Sequence, residues 1–203
     1  MNRKFIFPAL MLCLGILNGC GAARPSKFYQ LTPAGNKTAG ADPAPFPVTL
    51  LLGPITTSHL YRDDHIVYTS NGEAMGTYEY QRWAEPPSEM ISDVLLRELQ
   101  QSERYQHVYS LRSDSRGDYV LRGRLYDFKE VDGGTTSARV TLELEMRDLK
   151  TGATVWSHYY THDEPASGKE VPAIVAALDK NVQRAVKEVV GSLDQYFASH
   201  PVK

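Results

Sequence analysis

The stretch Arg139-Val140-Thr141-Leu142-Glu143-Leu144-Glu145-Met146-Arg147 decides the fold of this chain. Its apolar residues occupy every second position, and threonine or glutamate fills the positions between them. Successive side chains of a strand point to opposite faces, so this alternation predicts a strand that is buried on one face and solvated on the other. Strands of this kind are typical of antiparallel sheets.

Further strands are predicted on both sides of this stretch. One spans residues 119–128 and reaches it through the turn Asp132-Gly133-Gly134. Another spans residues 154–162 and follows the turn Lys150-Thr151-Gly152. Consecutive strands joined by short turns pair as neighbours. Residues 119–162 are therefore predicted to form a three-stranded meander.

Two segments carry apolar residues at helical spacing. The first spans about residues 87–102 and begins at Pro86-Pro87, a pair suited to a helix start. The second begins at Val171-Pro172 and keeps one apolar stripe as far as Tyr196. A helix with one apolar stripe must bury it, most simply against the meander.

Shorter strand signals precede the first helix. Residues 48–52 are apolar and are expected to end at Gly53-Pro54, while residues 66–68 and 74–80 flank a turn and are expected to form a hairpin. Another short strand is expected at 108–111. The predicted fold class is α+β: a single domain over residues 48–200, with a mixed or antiparallel sheet, a C-terminal meander and two helices packed on it, the second a long amphipathic helix.

The first twenty residues have the pattern of an export signal. Arg3 and Lys4 precede an apolar run that is too short to span a membrane, and the run ends at Leu17-Asn18-Gly19-Cys20. This ending resembles the lipobox of bacterial lipoproteins, which implies removal of residues 1–19 and a covalent lipid on Cys20. Gly21 stands where an aspartate would favour the inner membrane, and so implies sorting to the periplasmic face of the outer membrane. The alternative is an ordinary signal peptide with a chance cysteine.

Residues 20–47 are predicted to be the lipidated N terminus and a flexible tether. They contain five prolines among small and polar residues, a composition that buries little surface. At roughly 3 Å per residue, such a segment would hold the domain several tens of Å from the membrane. The one apolar spot, residues 28–31, leaves open whether a short strand docks on the domain.

Composition and charge argue against several classes of protein and of binding site. The chain has 203 residues, with 22 basic and 24 acidic side chains. The signal holds two of the basic residues and no acid, so 20 basic and 24 acidic residues follow it, a net charge of −4. A nucleic-acid binder would normally have a basic surplus. With Cys13 in the signal and Cys20 lipidated, we expect neither a disulfide nor a cysteine metal site in the domain.

Two groups of histidine and acidic residues were candidates for zinc ligands. They are His59, Asp63, Asp64 and His65, and His158, His162, Asp163 and Glu164. Neither group has the spacing of a known zinc motif, and His158 and His162 would lie about 13 Å apart on a strand. No phosphate loop or nucleophile motif occurs either. We therefore predict no metal, no cofactor other than the lipid on Cys20, no catalytic residue and no enzymatic activity.

Aromatic and basic residues gather just before the first helix, at Tyr78, Tyr80, Arg82 and Trp83. Tyrosine, arginine and tryptophan are enriched at interface hot spots, so this set is a candidate partner-binding surface. For Trp83 the alternative, packing beneath the helix, is favoured.

The order of these motifs resembles the ABC-type transport auxiliary lipoproteins, the PqiC-like family. The most distinctive segment is Arg82-Trp83-Ala84-Glu85-Pro86-Pro87; the lipobox and residues 28–31, 66–68, 118–123 and 151–156 add weaker support. Thr69 departs from the pattern, because many relatives are expected to place an arginine there.

The resemblance implies a non-catalytic partner of an ABC transporter and an MCE-domain protein, in a system that moves lipids or other hydrophobic molecules across the periplasm. The lipoprotein would dock the MCE assembly at the outer membrane, with a homo-oligomer as one option. The alternative function is an envelope lipoprotein that activates or assists a cell-wall enzyme. A third is a lipid carrier, which would need an apolar cavity.

Overall fold

The computed structural model describes residues 24–33, 35, 44–70, 74–112 and 114–201. These residues form two α-helices, α1 (Pro87–Gln101) and α2 (Val171–Ser199), and a 3-10 turn, His59–Tyr61. They also form the strands β1 (Lys27–Tyr29), β2 (Phe46–Thr57), β3 (His65–Ser70), β4 (Ala74–Trp83), β5 (Tyr105–Ser110), β6 (Tyr119–Asp132), β7 (Thr136–Asp148) and β8 (Thr154–Pro165).

These strands belong to one mixed sheet organised around β6. Along one side β6 pairs antiparallel with β7, which in turn pairs antiparallel with β8. Its other side is shared by two parallel strands, β2 along the first half and β3 near the end. Beyond these two lie β5, parallel to β2, and β4 and β1 on the side of β3. The predicted α+β fold, the meander and the β3–β4 hairpin are confirmed, while the expected turn at 71–72 lies outside the described residues.

Both helices cover the same face of the sheet. The alternating side chains of β7 on this face, from Val140 to Met146, are at most 2 % exposed and share one core with the apolar stripes of α1 and α2. Burial of a large aliphatic side chain stabilises a fold by about 1.5–3 kcal/mol, so the stretch that predicts the fold also supplies much of its core. We call this the helix-covered face and the opposite one the helix-free face.

A buried asparagine fixes α2 on the sheet. Asn181 is fully buried, and its amide nitrogen donates hydrogen bonds to the carbonyl oxygens of Ala138 and His162, both at 2.8 Å. Its side-chain oxygen accepts a hydrogen bond of 2.5 Å from the Tyr160 hydroxyl. Because buried polar groups are costly unless paired, this network favours one position of α2 along β7 and β8.

The second strand is longer than predicted. It passes through Gly53-Pro54, where it was expected to end, and continues to Thr57. The register of β2 against β6 shifts between Leu52 and Ile55, so the pair forms a bulge at which proline is tolerated. The strand also begins earlier, at Phe46, whose ring packs 5.6 Å from that of Phe197.

Part of the predicted tether is fixed on the domain. Residues 27–29 form β1, parallel to β4, and Leu31 is 5 % exposed. Thr32 donates hydrogen bonds from its backbone nitrogen and its hydroxyl to the carboxylate of Asp179, at 2.8 and 2.7 Å, and its carbonyl accepts one from Gln183. The sequence left open whether this apolar spot docks, and in the structure it does, because an apolar anchor and paired backbone groups outweigh the proline-rich composition. We call residues 24–33 the arm.

Candidate partner-binding surface

Trp83 is not available to a partner. Its side chain is 1 % exposed, and its ring packs 5.2 Å from that of Phe128 in the core. The backbone nitrogen of Trp83 donates a hydrogen bond to Asp64, which joins the end of β4 to the start of β3. Of the two interpretations of this residue, a structural role in the core, which also contains the apolar residues of α1, is therefore the one that agrees with the structure.

Tyr78 and Arg82 are largely engaged within the domain. The Tyr78 hydroxyl donates a hydrogen bond of 2.7 Å to Glu130, and its ring lies 5.0 Å from that of Tyr68. Burial, followed by the hydrogen bond to Glu130, raises the pKa of Tyr78. Arg82 donates a hydrogen bond of 2.8 Å to the carboxylate of Asp64. Both side chains thus stabilise the β3–β4 region.

Tyr80 lies beneath the start of the arm. The guanidinium of Arg24 is 5.8 Å from the centre of the Tyr80 ring, a cation–π distance. A hydrogen bond to Glu79 raises the pKa of the Tyr80 hydroxyl. The four residues therefore do not form one exposed patch. The other two predicted positions, Cys20 and Gly21, lie outside the described residues.

The members of the histidine groups form separate pairs. Asp64 pairs with Arg82 and lies 3.8 Å from His65, while His59 opens the 3-10 turn. Asp163 and Glu164 point to opposite faces of β8, the first paired with Arg139 and the second with His162, Lys180 and Arg184. The described ranges contain no group of three His, Cys, Asp or Glu side chains placed to hold a metal ion. Nor do those ranges contain a helix long and apolar enough to cross a membrane.

The helix-free face carries an exposed aromatic cluster that the sequence pattern does not predict. Tyr126 and Tyr159 are 40 % and 60 % exposed, and their ring centres lie 6.4 Å apart. Arg124 lies over the Tyr126 ring at 5.2 Å, and the Tyr126 hydroxyl donates a hydrogen bond of 2.7 Å to Glu143. We call Arg124, Tyr126, Glu143 and Tyr159 the tyrosine cluster.

A bulge explains why the cluster escaped prediction. The register of β6 against β7 shifts between Leu125 and Asp127, which leaves Tyr126 as the extra residue. Leu125 and Phe128 consequently both reach the helix-covered face, and Tyr126 turns to the other. Leu125 and Phe128 are three residues apart, so a strict alternation of side chains between the two faces cannot place both on the helix-covered face. The exposed position of Tyr159, by contrast, follows from the alternation of β8.

The charges around the cluster are paired, in one case between neighbouring strands and in the other along β6 itself. Arg139 donates two hydrogen bonds to Asp163 at 2.7 and 2.6 Å, and Lys129 lies 2.6 Å from Asp127. The hydrogen bond from Arg139 lowers the pKa of Asp163. Because these charges neutralise each other, the cluster presents exposed aromatic surface without a strong field of one sign.

Another groove lies between α1 and the ends of β2 and β5. Its volume is about 610 Å³. Leu52, Ile55 and Leu96 line it together with the charged residues Glu89, Asp93 and Arg112. Charged side chains on the wall suit an acyl chain poorly, so the groove gives little support to the lipid-carrier hypothesis.

Comparisons with known proteins agree with the geometry. A family model described as "ABC-type transport auxiliary lipoprotein component" matches residues 29–190. No curated protein sequence matches the chain.

Among solved structures, a protein from Xanthomonas campestris is 20 % identical, with a TM-score of 0.74 over 86 % of this chain and 98 % of its own. An uncharacterised protein is 12 % identical, with a TM-score of 0.66 over 84 % of this chain and 99 % of its own. A hypothetical protein from Chlamydia trachomatis is 9 % identical, with a TM-score of 0.53 over 75 % of this chain and 99 % of its own. At these identities the likeness shows the fold alone.

Proposed function

The chain belongs to the ABC-type transport auxiliary lipoprotein family, and on this premise we propose that it is the lipid-anchored, non-catalytic docking component of an ABC transport system. The cargo is a lipid or another hydrophobic molecule that crosses the periplasm, and the partner is the MCE-domain protein of the system. The observation that carries the proposal is the family match over residues 29–190, which extends from β1 into α2.

The anchor is a lipid on Cys20, and Gly21 directs it to the periplasmic face of the outer membrane. The lipobox and the position of the arm support this part of the proposal. The arm joins the residues after the lipobox to the edge of the sheet, so a lipid on Cys20 would hold the folded domain directly.

The docking surface for the MCE-domain protein is the tyrosine cluster. Tyrosine and arginine are frequent hot-spot residues, and the ring of Tyr159 is the more exposed of the two aromatic side chains. The charges around the cluster are already paired with each other. Their desolvation therefore costs little free energy when a partner supplies polar groups at the rim of the interface. By contrast, the candidate surface at Tyr78, Arg82 and Trp83 is occupied by internal contacts.

Co-purification from the native envelope tests this function. The full-length chain with a C-terminal tag is captured after mild cross-linking, and the proteins retained with it are identified by mass spectrometry. We expect the ABC permease and the MCE-domain protein. Cell-wall enzymes in their place would overturn the transport proposal in favour of the alternative.

A matched variant controls for the anchor. Cys20→Ala should remove the protein from the outer-membrane fraction and abolish capture of the assembly, because the domain is then no longer held at the membrane. Normal fractionation of this variant would contradict the lipid anchor. The mass of the purified lipidated protein in detergent will also show whether several copies assemble.

A further inference from the structure

The arm fixes the point at which the anchored end of the chain meets the domain. Residues 27–29 pair with β4, and the Tyr29 hydroxyl donates a hydrogen bond of 2.7 Å to Gln81. Thr32 is held by Asp179 on α2. Arg24 already contacts the domain through the Tyr80 ring. The chain therefore joins the domain at or before Arg24, at the edge of the sheet formed by β1.

Covalent geometry then limits how far this edge can lie from the lipid. Arg24 is four residues after Cys20. Consecutive Cα atoms are 3.8 Å apart, so the Cα atoms of Cys20 and Arg24 are separated by at most about 15 Å in any conformation. The headgroup region of one leaflet is itself several Å thick. An anchored Cys20 therefore places Arg24 at or close to the lipid headgroups.

The residues at this edge have the chemistry of a membrane interface. Phe28 is 62 % exposed, the highest value among the exposed large hydrophobic side chains of the described ranges. Arg24 and Lys27 are exposed and cationic, and because Lys27 and Phe28 are consecutive strand residues, their side chains flank the β1 edge from its two faces. On the neighbouring strand the acidic residue Glu79 is hydrogen-bonded to Tyr80. Basic side chains near a bilayer are attracted to anionic lipids, and aromatic rings favour the headgroup level.

We propose that Arg24, Lys27 and Phe28 form a membrane-contact surface, which lays the β1 edge of the domain on the anionic lipid surface that carries the anchor. This inference rests on the proposed lipid on Cys20. All three residues precede the range that the family model matches. A lipid together with a cationic surface gives two membrane signals, which hold a protein more firmly than one. The two signals also fix the orientation of the domain relative to the bilayer.

Site-specific quenching tests this orientation in the lipidated protein. With Cys20 lipidated and Cys13 removed with the signal, an introduced cysteine is the sole free thiol. A fluorophore is attached at Phe28→Cys and, as the matched control, at Tyr159→Cys, because the two positions are 62 % and 60 % exposed. The protein is reconstituted into phosphatidylethanolamine vesicles containing phosphatidylglycerol and a headgroup spin-labelled lipid. We expect loss of fluorescence at position 28 and retention at position 159.

Charge reversal separates surface contact from mere tethering. In the Phe28→Cys background, Arg24→Glu with Lys27→Glu should weaken the quenching. Each basic group near an anionic surface changes the equilibrium between the membrane-bound and the free β1 edge about fivefold. We expect this effect in vesicles with phosphatidylglycerol and no such effect in pure phosphatidylcholine. Circular dichroism will check that the variants remain folded.

Every other outcome overturns the inference. Quenching at position 28 by iodide but not by spin-labelled lipid would mean that the edge faces the aqueous phase. Protection from both quenchers would mean that a second copy of the chain covers it. The intact mass of the preparation reports the anchor separately: a missing lipid on Cys20 would overturn the proposed anchor and this inference together, whereas a lipidated protein without quenching overturns the inference alone.

Discussion

The two faces of the sheet use the same strands for different purposes. On β7, Leu142 is 2 % exposed on the helix-covered face. Its neighbour Glu143 points to the helix-free face, where its carboxylate accepts a hydrogen bond from the exposed Tyr126. One face is closed by α1 and α2, and the other displays the tyrosine cluster. The comparison indicates that residues needed for folding and residues available for binding are separated by a single step along a strand.

This separation has a consequence for mutations. A substitution on the helix-covered face should change the free energy of unfolding and affect partner binding only through loss of folded protein. A substitution on the helix-free face should weaken partner binding directly and leave the free energy of unfolding nearly unchanged. The following variants test the contrast, from the largest expected effect on stability to the smallest.

Leu142→Ala should lower the free energy of unfolding by about 2–5 kcal/mol, because it leaves a cavity beneath α2. The matched variant one residue away, Glu143→Ala, should change it by about 0.5 kcal/mol or less, as is usual at solvated positions. Urea denaturation followed by circular dichroism measures both. Equal losses in the two variants would contradict the assignment of the faces.

Asn181→Leu should destabilise the domain by about 2–3 kcal/mol, because the Tyr160 hydroxyl and two carbonyl oxygens lose a buried partner. At this chain length, the melting temperature should fall by roughly 2–4 °C per kcal/mol. Ser192→Ala is the control, since it removes a single hydrogen bond from Trp156. An unchanged melting temperature for Asn181→Leu would show that the network does not fix α2.

The sequence was sufficient to predict most of the fold. The alternation of β7 and the apolar stripe of α2 each carry a strong periodic signal, because each element buries one face. The bulges at Gly53-Pro54 and at Tyr126 carry no such signal, since a register shift depends on the partner strand. The position of Tyr126 in the tyrosine cluster could not be predicted for this reason. The arm was underestimated because its fixed position depends on Asp179 and Gln183, about 150 residues away along the chain.

Asp179→Ala should lower stability by only about 1 kcal/mol, because the two hydrogen bonds that it accepts from Thr32 are exposed. The arm should nevertheless detach more often, so its amide hydrogens should exchange faster while those of β7 stay protected. Hydrogen-exchange mass spectrometry distinguishes the two regions. Uniform acceleration throughout the domain would show that the arm does not open independently.

The smallest effect is expected at the Arg139–Asp163 pair on the helix-free face. Because Arg139 lowers the pKa of Asp163 in the folded state, the pair contributes stability above the unfolded pKa of about 3.9 and loses it as the pH falls through the lower folded value. At these exposed positions the contribution is about 0.2–1 kcal/mol. Asp163→Asn should therefore be slightly less stable than the wild type at about pH 6, and the difference should shrink as the pH falls below about 3.9 towards the folded pKa, as measured by thermal unfolding. The opposite order would contradict the sign of the shift.

The most direct test of the docking surface is co-purification by the lipidated double variant Tyr126→Ala, Tyr159→Ala. Loss of hot-spot residues typically weakens binding by about 2 kcal/mol or more each, so we predict at least a tenfold reduction in captured MCE-domain protein with the melting temperature nearly unchanged. Lys187→Ala with Glu188→Ala, on the exposed side of α2, should capture as much as the wild type. Undiminished capture by the folded tyrosine variant would contradict the assignment of the helix-free face as the docking surface.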